Sequence, residues 1–178
     1  PSIDQINNTI NENTKMIVLN YPNNPTGKIL PENMMENIIN IARKHDLYVL
    51  SDEIYEFYYM DDDLPSPTMR PGVVYGYEKT IVTQSFSKSF AMTGYRIGYA
   101  IADPSIIEKM SKLQALSLTN VSEPIQYVAL KALERMIRGG DGSSYPGSNN
   151  LLVRSRLKAL VKSAKDIGLE FIEPDGAM

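Results

Sequence analysis

The sequence predicts an α/β fold, a mostly parallel sheet flanked by helices, and three observations predict it. Short apolar runs of strand length recur: MIVLN at Met16–Asn20, LYVLS at 47–51 and TIVTQS at Thr80–Ser85. Met34, Met35, Ile38, Ile39 and Ala42 fall between the first two runs, at helical spacing on one face. Strand, helix and strand follow one another within about 35 residues, the length of a βαβ unit whose sheet is covered on both faces.

In chain order, MIVLN ends in YPNNPTGKI, whose density of proline and glycine makes it a loop. Pro31 suits the first position of the next helix, and Lys44 and His45 place cations where its C-terminus favours them. MDDDLPSPTMRPGVVYG, between the second and third strands, is a loop-rich insertion. RIGYAIA at 96–102 is a fourth strand, and its connection to the third is too short for a crossover helix. It is therefore expected to run antiparallel to its neighbours.

From Pro104 the pattern turns helical. Ile106, Ile107, Met110, Leu113 and Leu116 mark one helix, and Ile125, Val128, Ala129, Leu133 and Met136 a second. RGGDGSSYPGSNN at 138–150 breaks the period and is the expected linker. Leu151, Val153, Leu157, Leu160, Val161, Ala164 and Ile167 describe a long third helix, after which LEFIE is expected as a lone strand. A strand without a sheet, a start at Pro1 and a stop at PDGAM together predict a piece truncated at both ends.

Composition narrows the function. The 178 residues are 43% hydrophobic and 22% charged, with a net charge of −3 and a pI near 5.2, so the basic excess of a nucleic-acid or anionic-membrane surface is missing. With no cysteine, disulfides, zinc thiolates and thiol catalysis are excluded, and a reducing, cytoplasmic setting is expected. No apolar run approaches the roughly 20 residues of a membrane span.

Three loops follow the three strands that are expected to be parallel. They carry Asn24, then Asp52 and Tyr55, then Ser85 to Lys88. In a parallel α/β sheet the carboxyl ends of the strands lie on one side, where ligands bind, so these groups are expected to converge. Each alone favours a plain reading: Lys88 a solvated charge, Asp52 a cap or turn former, Arg96 a surface ion pair, Tyr55 packing. As a set they are what pyridoxal phosphate requires. It needs a lysine amine to bond its aldehyde, a carboxylate for its ring nitrogen, and hydroxyl and cation donors for its phosphate, with further donors for its phenolic oxygen.

NYPNNPTG, SDEIY and SFSKSFAMTGYRIGY stand in one order, with 28 residues from Asn24 to Asp52 and 36 from Asp52 to Lys88. In these motifs the chain resembles the large domain of the fold type I, pyridoxal phosphate-dependent aminotransferases, the aspartate aminotransferase family of class I and II. The resemblance extends over essentially the whole chain. It implies that 1–140 is part of the large cofactor-binding domain, and 141–178 a linker, a connecting helix and the start of a small C-terminal domain. It further implies that Lys88 bonds the cofactor and later shuttles a proton, and that Asp52 pairs with the ring nitrogen. Asn24 and Tyr55 would donate to the phenolic oxygen, while Ser85, Ser87 and Arg96 hold the phosphate.

By the same resemblance Asn24-Pro25 is a candidate cis bond. The expected reaction moves an amino group from an amino acid, aspartate or another common L-amino acid, to a 2-oxo acid by a ping-pong route, in a homodimer. Tyr95 stands where the family frequently has tryptophan. The family's ring-stacking aromatic and glycine-containing phosphate loop precede this segment, and its substrate-carboxylate arginine follows it, so the chain alone is expected to be inactive.

Other readings compete. A C–S lyase or an aminocyclopropane carboxylate synthase-like enzyme would share the cofactor residues. Ser85-Phe86-Ser87-Lys88 also fits the SxxK of penicillin-binding acyl enzymes, but no SDN or KTG partner follows. A fold kept as an inactive binding module is the remaining alternative. No metal site is expected: Asp61, Asp62 and Asp63 lack calcium-loop spacing, and His45, the sole histidine, sits at a helix end as a cap. RGGDGSS follows a helix instead of leading from a strand into one, which favours a linker over a phosphate cradle.

Overall fold

The computed structural model describes residues 2–60, 75–138 and 145–177. Four strands form one sheet in the order β1-β2-β3-β4: β1 is Met16–Asn20, β2 Tyr48–Asp52, β3 Thr80–Ser85 and β4 Gly98–Ala102. The first three are parallel, and β4 runs antiparallel to β3, as the short connection predicts. That connection is a single helical turn, α3 (Phe86–Ser89), and a 3-10 turn at Thr93–Tyr95. Gly98 opposes Ser85 where the strands meet, and a Cβ on it would lie 2.5 Å from the Gln84 carbonyl oxygen. Glycine is what lets β4 come this close.

Helix α1 (Ile3–Thr9), which the hydrophobic pattern does not announce, is signalled by its polar start. Ser2 and Gln5 form a reciprocal capping box. Helix α2 (Glu32–Lys44) begins one residue after Pro31, so Pro31 is the cap position and not the first helical one. Its expected apolar face is buried at Met35, Ile38, Ile39 and Ala42, against Leu19 of β1, Val49 of β2, Leu47 and Tyr77. His45 caps α2 by donating its backbone N–H to Ile41 O.

The C-terminal half is helical: α4 (Pro104–Ser117), α5 (Glu123–Arg138) and α6 (Tyr145–Asp166). Asp103 caps α4, its carboxylate accepting from Ser105 N at 2.9 Å. Ala129 of α5 closes a small core with Phe86 and Met92 beside α3. Helix α6 starts at Tyr145, inside the segment expected to be linker. The Gly-Ser run stops the period, but Tyr145-Pro146 supplies a helix start with proline in the first turn.

LEFIE is not a strand. Residues 169–173 have no regular structure and pair with neither outer strand of the sheet, β1 or β4; just beyond them the chain makes an isolated Tyr59–Gly176 bridge. The centre of the insertion after β2, with Asp61, Asp62 and Asp63, and most of RGGDGSS lie outside the described residues, as does the domain boundary at 140. Among the described residues, no helix is long and apolar enough to cross a membrane.

Candidate active site

The parallel register aligns Asn20 with Asp52 and Asp52 with Thr83, which brings the carboxyl ends of β1, β2 and β3 level. The three expected loops therefore open on one side of the sheet. Asp52 is the last residue of β2. Its Oδ2 accepts from Asn20 Nδ2 at 3.0 Å and its Oδ1 from Thr83 Oγ1 at 3.2 Å. Both partners are neutral, so the carboxylate is oriented without its charge being cancelled, and it keeps acceptor capacity for a cationic N–H.

The loop after β1 is shaped by two cis bonds, Tyr21-Pro22 and the expected Asn24-Pro25. Gly27 follows at φ +70, its carbonyl accepting from Asp175 N and Gly176 N at 2.7 and 2.8 Å. A Cβ there would lie 2.5 Å from Pro174 Cβ, so the PDGA segment is clasped against this loop. The clasp aims Asn24 across to the next loop, where its Nδ2 donates to the Tyr55 hydroxyl at 2.9 Å.

Tyr55 is 3% exposed, and Lys88 Nζ lies 5.6 Å from the centre of its ring. Lys88 itself is half-buried on the one-turn helix α3. Ser85 caps that turn, its Oγ accepting from Ser87 N at 3.0 Å and donating to Ile97 O at 3.4 Å. Arg96 adopts a left-handed conformation, φ 53, which directs its guanidinium to Thr93 O at 2.9 Å and leaves it exposed.

Of the residues expected from sequence, the structure thus joins Asn24 to Tyr55, Tyr55 to Lys88 and Ser85 to Ser87. Asp52 is joined to Asn20 and Thr83 instead, and Arg96 to Thr93. Sequence reasoning missed Asn20 and Thr83. The signal for Asn20 was its place as the last residue of MIVLN, level with Asp52 in a parallel pair.

Tyr58 and Asn149 were missed as well. The Tyr58 hydroxyl donates to Lys88 O at 2.6 Å and accepts from Asn149 Nδ2 of α6 at 2.7 Å. Burial, then the neighbouring Tyr145 phenol, pushes the Tyr58 pKa above its usual value. Three residues beyond Tyr55, Tyr58 could have been flagged by spacing; nothing in the sequence points to Asn149.

The donor set fits pyridoxal phosphate. An amine, an oriented carboxylate, an amide and phenol that share one location, two serines and a guanidinium are the groups that cofactor takes up.

Residues 2–178 match the family model described as aminotransferase class I and II. The aspartate aminotransferase of Pyrococcus horikoshii is 36% identical over 178 residues, covering 99% of this chain and 44% of that protein. Aromatic-amino-acid aminotransferase 2 of Thermococcus litoralis is 34% identical over 179 residues, with the same 99% and 44% coverage. Among solved structures, a double mutant of Thermus thermophilus aspartate aminotransferase superposes with a TM-score of 0.88 at 32% identity, over 99% of this chain and 44% of that one. The chain spans a little under half the length of the curated relatives it matches, and aspartate aminotransferase homologues are pyridoxal phosphate-dependent. With the motifs at Asn24, Asp52 and Lys88 standing at the ends of three parallel strands, the chain belongs to the class I and II aminotransferases.

Proposed function

We propose that the intact protein is a pyridoxal phosphate-dependent aminotransferase acting between an L-amino acid and a 2-oxo acid. The observation that carries this reading is the convergence of Asn24, Tyr55 and Lys88 beside an Asp52 carboxylate held by two neutral donors. When bound, the cofactor supplies an aldehyde that bonds amines and a ring that withdraws electrons from the substrate's α-carbon.

The chain's own residues do the rest. Lys88 Nζ would hold the cofactor through its aldehyde and, as a free amine, would take and return the substrate's α-proton. Asp52 would accept from the ring N–H and stabilise its positive charge. Asn24 Nδ2 and Tyr55 Oη would donate to the phenolic oxygen, and Ser85, Ser87 and Arg96 would bind the phosphate, for which a planar guanidinium is suited.

Residues 1–140 are assigned to the large domain, and 141–178 to a linker, the connecting helix and the start of the small domain. In support, Val153 of α6 and Ala177 pack on Tyr55 and Tyr58 without entering the sheet. We place the protein in the cytoplasm as a homodimer. The donor is aspartate or another common L-amino acid, in line with relatives named for aspartate and for aromatic amino acids.

The test is to load the intact protein with pyridoxal phosphate and give it a panel of amino acids without a 2-oxo acid. Transamination releases about one 2-oxo acid per bound cofactor and no ammonia. Continuous release of 2-oxo acid with ammonia would make it a lyase.

A further inference from the structure

We propose that Tyr58 is a positioning residue for Lys88, its phenol pinning the turn that carries the amine and itself held by Asn149 of α6. The proposal rests on the role given to Lys88 above.

Helix α3 has four residues, too few to form a stable helix by itself, because nucleation fixes several residues for a single hydrogen bond. Its last carbonyls have no partner within the helix. Lys88 O is one of these. It accepts from Ala91 N at 3.2 Å in the chain's own turn, and from the Tyr58 hydroxyl at 2.6 Å from outside it. The external bond is the shorter of the two and joins the turn to the loop after β2.

Tyr58 also bears on the other end of Lys88. Its ring meets the Tyr55 ring edge-on, with centroids 6.4 Å apart and planes at 70°, and Tyr55 offers its own ring to Lys88 Nζ. Backbone and amine of one lysine are thus both referred to Tyr58. A phenylalanine would fill the same space among Tyr55, Ala177 and Val153. What the hydroxyl adds is two hydrogen bonds, one to Lys88 and one from Asn149, a residue 91 positions away. Burial keeps the phenol protonated and so able to donate.

The test uses the intact protein loaded with pyridoxal phosphate, comparing wild type, Tyr58→Phe and Asn149→Ala. Borohydride fixes the cofactor, and peptide mapping finds the labelled lysine. Tyr58→Phe is expected to keep the label on Lys88, to lower kcat about tenfold with KM within about twofold, and to move the pH midpoint of the cofactor's visible absorbance band. Asn149→Ala leaves the Tyr58 ring in place and is expected to shift both readouts in the same direction, with kcat down about threefold. It decides the matter if Tyr58→Phe does not fold. A lower Tm with kcat and the absorbance midpoint unchanged would mean that Tyr58 only fills space, and the proposal fails. A wild-type label on another lysine overturns the functional reading and this proposal together, whereas a label on Lys88 with unchanged kcat overturns this proposal alone.

Discussion

The two halves of the molecule both place apolar residues at helical spacing, yet they spend them differently. In α2, Ile38 and Ile39 are 2% and 0% exposed, sealed against β1 and β2. In α4, Leu113 and Leu116, also at helical spacing, are 68% and 87% exposed, and the helix buries no residue. Periodicity fixes that a segment is helical and which face is apolar. What covers that face depends on other elements, and the sheet covers one face and not the other. The candidate site lies at the border, its residues set by strands on one side and by α6 on the other.

The largest effect is expected on the sheet side. Asp52→Asn keeps the shape of the side chain and removes its charge, so kcat of the intact protein should fall by roughly a hundredfold to a thousandfold while Tm stays nearly constant. A fall in Tm with kcat retained would mean that Asp52 belongs to the fold and not to the chemistry. Ile39→Ala should cost about 2–5 kcal/mol in a denaturant titration, since it opens a cavity where no atom is exposed to solvent.

A smaller effect is tied to pH. The Tyr58 pKa lies above the ordinary 10.0 in the folded protein, so its contribution is fully present below pH 10.0 and is lost as pH rises through the raised value. The phenolate can no longer donate to Lys88 O. Burial raises the Tyr75 and Tyr77 pKa values too, so thermal melts from pH 8 upward should show a larger loss in wild type than in Tyr58→Phe, the difference being the share of Tyr58. Smallest of all, Leu116→Ser should change the stability of the 178-residue chain by less than about 0.5 kcal/mol in the titration used for Ile39→Ala. A cost near that of Ile39→Ala would erase the contrast between the halves.

Much of this was legible in the sequence, for physical reasons. MIVLN and TIVTQS are apolar runs bounded by turn formers, and a strand inside a parallel sheet needs little else. The antiparallel β4 followed from connection length alone. LEFIE failed because its composition suits a strand but a strand also requires a partner strand within pairing distance, which sequence does not display. In the site, Asn24, Asp52, Tyr55 and Lys88 were visible because they stand at strand ends in a fixed order. Asn20 and Thr83 were not, since their bonds to Asp52 depend on the register between strands. The Tyr58–Asn149 bond spans 91 residues and has no local signature at all.

The central claim is that Lys88 is the amine the site is built around. Reducing the pyridoxal phosphate-loaded intact protein with borohydride, then mapping the peptides, tests it directly. The account predicts one labelled lysine, Lys88, and no stable label in Lys88→Ala. A label on any other lysine, or equal labelling of Lys88→Ala, would contradict it.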